Sequence, residues 1–202
     1  MLLKRLHALL LHWFSSRYEK MTAERKQELL GGLRGVVVEI GPGTGPNLKF
    51  YSPEVCWIGI EPNPYMRPYL REEARRLGME IDLRTEVAEG LPVPDASADA
   101  VVSTLVMCSV TDPERVIHEV HRVLKPGGRF LFLEHVADDP GTRTRRRQEW
   151  ITPFWRRMAD GCHPNRETWR LIENAGFAET RYDRFRLPLP IAGPHIAGVA
   201  VK

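Results

Sequence analysis

Long apolar runs are missing from this 202-residue chain. None approaches the ~18 to 20 residues that span a bilayer, so no membrane-crossing helix is expected. Cysteine is scarce. Cys56, Cys108 and Cys162 are the whole set, and their spacing matches neither a metal motif nor a disulfide framework. No metal site is therefore expected, and Cys108 and Cys162 read as plain core residues. A reducing compartment follows from the same scarcity, which together with the lack of a small-residue cleavage pattern gives a cytoplasmic reading, membrane association left open. Charge of one sign is lacking too: 29 Lys and Arg against 26 Asp and Glu leave +3, too little to demand a nucleic-acid partner. Internal repeats and low-complexity linkers are absent, and 43% hydrophobic with 27% charged residues is an ordinary globular composition.

What is present is alternation. Apolar, β-branched segments at 36–40, 56–60, 80–84, 99–103 and 129–134 read as strands. Helical patterns at 18–33, 65–77 and 113–124 lie before and between them, the last started by Asp112 with Pro113 at its first position. Such alternation implies a parallel sheet covered by helices on both faces. Residues 125–128 read as a turn, 166–175 as a helix, and 180–186 and 195–201 as two closing strands. The segment 138–164 is polar, basic and aromatic without clear periodicity, and is expected to pack over the active face. Its arginines, among them Arg143, Arg145, Arg146 and Arg147, read by default as a solvated helix face over an apolar pocket, with RNA binding or contact with lipid headgroups as the alternatives.

The first residues stand apart. Leu2, Leu3, Leu6, Leu9, Leu10, Trp13 and Phe14 recur at mostly helical spacing, interrupted by Lys4, Arg5, His7 and His12. This suits an amphipathic lid over a ligand cleft, or an interfacial helix making peripheral membrane contact through residues 1–16. The domain reading is thus a helical lid or interfacial segment at 1–34, followed by one domain at 35–202 with a substrate-side segment at 138–165.

The most informative stretch is Val36-Val-Val-Glu-Ile-Gly-Pro-Gly-Thr-Gly-Pro-Asn47. A buried strand breaks at Gly41, Gly43 and Gly45, and residues 47–51 read as the first turns of a helix. Strand, glycine turn and helix N-terminus bring backbone close to a nucleotide-like ligand. A dinucleotide fingerprint needs a glycine at the sixth position, and Pro46 stands there. Glu61 ends the second strand 20 residues after Gly41, where a carboxylate can accept both hydroxyls of a ribose.

Glu39-x-Gly-x-Gly-x-Gly45, with Glu61, Leu91-Pro92, Asp99-Ala-Val-Val102 and Val123-Leu-Lys-Pro-Gly-Gly128, resembles the class I S-adenosylmethionine (SAM) methyltransferases in order and spacing. Asn47–Tyr51, Glu61-Pro-Asn-Pro64, Thr104–Val110, Glu134-His-Val136, Asp160-Gly-Cys162 and Pro194–Lys202 resemble more narrowly the microsomal alkyl-thiol methyltransferases, the methyltransferase-like seven group. The resemblance implies an α/β, Rossmann-like doubly wound sheet of about seven strands, mostly parallel with an antiparallel last strand. It also implies SAM as cofactor, S-adenosylhomocysteine as its product, and a small, lipophilic acceptor, a thiol by preference. Glu39, Gly41, Gly43 and Gly45 would then surround the methionyl part of SAM, and Glu61 its ribose. Asn63 would lie along the ribose or adenine, Ala88 and Glu89 at the adenine, and the Leu105 carbonyl at the amino group. Val87 stands where many relatives carry an acid for the adenine amino group.

A thiol acceptor must be presented as thiolate. His135, Asp112 and His163 are the candidate bases, and His135 follows the end of strand five, where open α/β sheets place ligands. Phospholipid N-methylation at a membrane surface and a non-catalytic SAM-binding scaffold are the competing readings. Ser103-Thr-Leu-Val106 replaces the Asn/Asp-Pro-Pro-aromatic motif of enzymes that methylate amines on nucleic acids and proteins, which argues against those targets.

Overall fold

A computed structural model of the chain describes residues 17–202. The amphipathic reading of residues 1–16 lies outside them. Residues 17–30 form a helix, α1. Then come β1 (Gly35–Ile40), β2 (Val55–Ile60), α2 (Arg67–Leu77), β3 (Asp82–Arg84) and β4 (Ala98–Thr104). They are followed by α3 (Pro113–Val123), β5 (Leu124–His135), α4 (Arg143–Met158), α5 (Thr168–Glu173), β6 (Glu179–Arg186) and β7 (Pro194–Val201).

The seven strands form one sheet in the order β3-β2-β1-β4-β5-β7-β6. The first five are mutually parallel, and β7 runs antiparallel to both β5 and β6. The strand order reverses between β1 and β4, so a crevice opens beyond their carboxyl ends. Alternation along each strand splits the core in two. Val38, Ile40, Val101 and Phe130 pack with Val116 and Val120 of α3 and Ile172 of α5. Val37, Trp57, Val102 and Leu131 pack on the other face with Leu30, Leu33 and Leu70 of α2. At about 25 cal/mol per Å² of buried apolar surface, these two layers dominate the stability.

Four local expectations are adjusted. The helix read at 47–51 is a single 3-10 turn, Leu48–Phe50. Lys125–Gly128 is a bulge within β5, which skips from Leu124 to Arg129 while its partner β4 moves from Ala98 to Ala100. The helix read at 166–175 is only Thr168–Glu173, with non-helical backbone at Glu167; Arg166 stands before it and donates to the Met107 and Val110 carbonyls. The aperiodic stretch 138–164 contains a 16-residue helix, α4, capped by Thr142, whose hydroxyl accepts from Arg145 N at 3.0 Å. Its inward face is polar: Gln148 is fully buried, accepting from Asp138 N and donating to the Val136 and Ile191 carbonyls. Its outward face is solvated and basic as expected, with Arg143, Arg146, Arg147, Arg156 and Arg157 exposed, and it also carries a ridge of Trp150, Phe154 and Met158, 81%, 72% and 75% exposed.

Candidate active site

The glycine turn is held from beneath. Glu39, buried at the end of β1, accepts from Asn47 Nδ2 at 2.8 Å, Tyr51 Oη at 2.8 Å and Trp57 Nε1 at 3.0 Å. Burial raises its pKa, and these three donors oppose that rise. Both Glu39 oxygens are thus spent on fixing the segment that follows the turn. Gly41, at φ +60°, is packed: a Cβ there would come within 2.6 Å of Val106 Cγ2. Gly43, at φ +59°, faces open space, with nothing within 4 Å of an added Cβ. That combination is a cradle: a backbone shape that favours glycine, beside room for a ligand.

Glu61 closes the cradle from β2. Its Oε2 accepts from Gly43 N at 2.9 Å and its Oε1 from Asn63 N at 2.7 Å. Each oxygen keeps a lone pair for a hydroxyl donor. Burial raises the Glu61 pKa, the two N–H donors lower it, and the charge of Asp160 raises it again. Asp160, just past α4, therefore lies near the carboxylate read for the ribose. Asn63 is buried and its Nδ2 has no partner. Leu105, directly after β4, takes φ +57°, a left-handed conformation that turns its peptide out of the strand direction. Ala88 is buried, whereas Glu89 Oε1 accepts from Thr111 N at 2.8 Å and ties the segment before β4 to the one after it.

Two of the three candidate bases are otherwise engaged. Asp112 is exposed, and its carboxylate caps α3 by accepting from Arg115 N at 3.0 Å. His163 is half-buried with Nδ1 3.2 Å from the Cys108 carbonyl oxygen and 3.2 Å from Arg166 Nη2. Burial and the Arg166 charge both lower its pKa. His135 is 5% exposed and stands at the end of β5, opposite His195 of β7.

The arrangement around His135 was not legible from spacing. Its Nε2 is 3.2 Å from Cys162 Sγ. Cys108, Cys162 and His135 are all buried, with ligand atoms within 4.8 Å of one another. The two cysteine segments are joined by His163 N donating to the Cys108 carbonyl at 2.8 Å. The hydrogen bond with Cys162, helped by the His135 charge and opposed by burial, holds the Cys108 thiol well below its usual range, and Cys162 is driven up in return. The cysteines are therefore buried, as the core reading expects, but they also form a pair beyond the carboxyl ends of β4 and β5. Cys108 Sγ also lies 3.6 Å from the Leu105 carbonyl oxygen, and Val106 of the same segment packs against Gly41, which places this segment beside the glycine turn.

Further unanticipated residues surround the cluster. Glu134 is fully buried, accepting from Ser103 Oγ at 2.5 Å and Val106 N at 3.1 Å through Oε1, while Oε2 has no partner. Burial, followed by the Cys108 charge, pushes it up to about 7. Tyr18 Oη, His135 Nδ1 and His195 Nε2 are likewise buried without partners. A cleft of about 470 Å³ leads in from outside, lined by Ser109, Thr111, Arg156, Gly161 and His163, the immediate neighbours of Cys108 and Cys162 among them.

Fold and cleft together define a nucleotide-cofactor enzyme of the doubly wound α/β type. The family model described as "Methyltransferase domain" matches residues 38–132. Thiol S-methyltransferase TMT1A of Homo sapiens is 39% identical over 205 residues, covering 94% of this chain and 83% of that protein. The phosphatidylethanolamine N-methyltransferase of Cereibacter sphaeroides is 38% identical over 109 residues, 53% of this chain and 54% of that one. The solved structure of geranyl diphosphate C-methyltransferase from Streptomyces coelicolor, with S-adenosyl-L-homocysteine bound, superposes with a TM-score of 0.70 at 15% identity, covering 92% of this chain and 76% of that one, and so shares the fold. The chain belongs to the SAM-dependent methyltransferases, in the group that includes the thiol S-methyltransferases. It is accordingly an enzyme with SAM as cofactor, and the open cradle at Gly43, the free lone pairs of Glu61 and the unpartnered Asn63 Nδ2 fit that ligand. Among the described residues no helix is long and apolar enough to cross a membrane.

Proposed function

We propose that the protein moves the methyl group of SAM to the sulfur of a small, lipophilic thiol. The observation that carries this reading is the buried Cys108–His135–Cys162 cluster, whose chain neighbours Ser109, Gly161 and His163 line a cleft and whose β4-end segment packs through Val106 against Gly41 of the cradle. The relationship to thiol S-methyltransferases supports the same acceptor. Bound SAM supplies an electrophilic methyl on a sulfonium; the protein's part is to align the acceptor with it, which is worth several kcal/mol. Gly41, Gly43 and Gly45 hold the methionyl part, with Glu39 fixing their segment from below. Glu61 accepts from the ribose hydroxyls, Asn63 and Ala88 lie along the ribose and adenine, and Leu105 offers its carbonyl to the amino group. Glu89 acts through the Thr111 backbone, shaping the adenine end. His135 is the candidate placed to receive or orient the acceptor; Asp112 and His163 keep the surrounding segments in place.

A second reading has one observation in its favour. The ridge of Trp150, Phe154 and Met158, flanked by Arg146, Arg147, Arg156 and Arg157, is apt for a lipid surface, and peripheral membrane contact there and through residues 1–16 would bring a phospholipid amine within reach. A methyl-transfer assay across an alkyl thiol, a phenol, phosphatidylethanolamine and RNA separates these readings. Methylation of the alkyl thiol is expected; transfer to phosphatidylethanolamine alone establishes the second reading, and transfer to RNA alone overturns both. SAM bound with no transfer to any acceptor would leave a scaffold.

A further inference from the structure

We propose that Cys108, His135 and Cys162 form a zinc site with three protein ligands, whose fourth position takes the sulfur of the acceptor. The inference deepens the thiol reading above and rests on it for the identity of the fourth ligand; the metal site itself rests on the geometry alone.

Three features point to a metal. The donor set is two thiols and one imidazole, the soft combination that selects zinc over magnesium or calcium. Cys₂His with one open position is also a donor set of catalytic zinc centres, whereas structural zinc sites close all four positions. The second feature is compactness: all three donor atoms lie within 4.8 Å of one another. Zn–S bonds of about 2.3 Å and a Zn–N bond of about 2.0 Å in a tetrahedron place donors about 3.5 to 3.8 Å apart, so shifts of about 1 Å or less bring these three into place. His135 Nε2 and Cys162 Sγ already stand 3.2 Å apart. Third, the donors come from separate, well-anchored elements. His135 ends β5 in register with β7, Cys108 follows β4, and Cys162 sits in the turn after α4, fastened by His163 N to the Cys108 carbonyl. Arg166 clamps the Cys108 segment through the Met107 and Val110 carbonyls.

Charge favours the site as well. Zinc with two thiolates and a neutral imidazole has no net charge, which suits a buried position. A third thiolate makes it singly negative, and the Arg166 guanidinium lies close enough to balance it.

The site answers a need of the reaction. A free alkyl thiol ionises only above neutral pH, whereas a thiol bound to zinc is deprotonated outright. In the proposed step the acceptor enters by the cleft at Ser109 and His163 and binds through sulfur, and its proton leaves to solvent. A sulfur lone pair then forms the S–CH₃ bond as the methyl–sulfonium bond of SAM breaks, its electron pair remaining on the sulfur of S-adenosylhomocysteine. The neutral thioether is a poor ligand and departs. His135 then acts as a metal ligand rather than a lone base.

The test begins with metal content. Full-length protein loaded with zinc and dialysed is expected to retain about one zinc per chain, and the Cys108→Ser/Cys162→Ser variant below roughly a tenth of that. Calorimetric SAM binding by the variant shows that it is folded. Should the variant fail to fold, wild-type protein carries the test through cobalt(II): tetrahedral thiolate charge-transfer and d–d bands are expected, and an alkyl thiol added without SAM should shift them. Removing the metal should cut thiol turnover at least about 10-fold, with zinc restoring it. Retention of no metal by wild-type protein, or a Cys108–Cys162 disulfide as the resting state, overturns the site. Cobalt bands unmoved by thiol, or undiminished turnover by metal-free protein, overturn the fourth-ligand role and leave the thiol reading standing. Zinc-loaded, SAM-binding protein that methylates no thiol would instead overturn the thiol reading and leave the metal site.

Discussion

Glu39 and Glu134 each stand one residue before the end of a strand of the same sheet, both buried, and their surroundings could hardly differ more. Glu39 satisfies three donors and has both oxygens engaged. Glu134 uses one oxygen, leaves the other unpartnered and is pushed up to about 7 by burial and the Cys108 charge. The contrast extends to their neighbourhoods. Around β1 and β2 the carboxylates are committed to holding a turn in one shape. Around β4, β5 and α4, unpartnered Tyr18 Oη, His135 Nδ1 and His195 Nε2 adjoin a cluster of two thiols and an imidazole. In the proposed reading the carboxylates of the first half preorganise the turn that holds the cofactor, and the second half keeps an unpartnered carboxylate oxygen and imidazoles beside the acceptor.

If that contrast is real, the halves should break differently. The largest effect is expected at Glu39. Glu39→Ala takes the carboxylate acceptor from the Tyr51 and Trp57 donors in the core and leaves Asn47 Nδ2 only Thr104 Oγ1, a loss of about 3 to 5 kcal/mol in denaturant unfolding; a loss under about 1 kcal/mol would show that the network does not hold the turn. Glu61→Ala should chiefly weaken SAM binding, raising Kd roughly 30- to 100-fold by calorimetry, in line with charge-assisted hydrogen bonds of about 2 to 3 kcal/mol. Affinity within threefold of wild type would remove Glu61 from the cofactor site. On the acceptor side, Gln148→Leu strands the Asp138 amide and the Val136 and Ile191 carbonyls under α4. It should cost about 1 to 3 kcal/mol and impair thiol turnover more than SAM affinity.

The smallest effect concerns pH. Burial raises the Asp138 pKa, but Arg186 at 2.7 Å and the Asp139 N–H more than offset it, so the folded value lies below the usual one. A depressed carboxylate stabilises the fold above its unfolded pKa of about 3.9 and loses that contribution as pH falls through the folded value. The β5–β6 clamp should therefore weaken only below about pH 4. Asp138→Asn should flatten that limb of the stability–pH curve and cost about 1 kcal/mol or less near neutrality.

The same division explains what sequence alone revealed. The cofactor side was legible because its parts are local: a strand, three glycines and a carboxylate 20 residues after the first of them. The proposed acceptor side is assembled from Cys108, His135 and Cys162, which share no short spacing and meet only because β4 and β5 are adjacent and the turn after α4 comes back to their ends. Helix α4 itself escaped notice because its pattern is inverted, with Gln148 and Thr152 buried inward and Trp150, Phe154 and Met158 outward. A reading that seeks an apolar inner stripe finds none there. Asp112 shows how one residue can carry two readings, helix cap and base; its Oδ1 caps α3, which shows the first.

The most direct test of the two-half account is to follow the methyl group itself. With SAM carrying a labelled methyl and an alkyl thiol in excess, the account predicts labelled thioether and S-adenosylhomocysteine in equal amounts, with transfer lost in Glu61→Ala at limiting SAM. Label appearing only in phosphatidylethanolamine or RNA, with the thiol untouched, would contradict it.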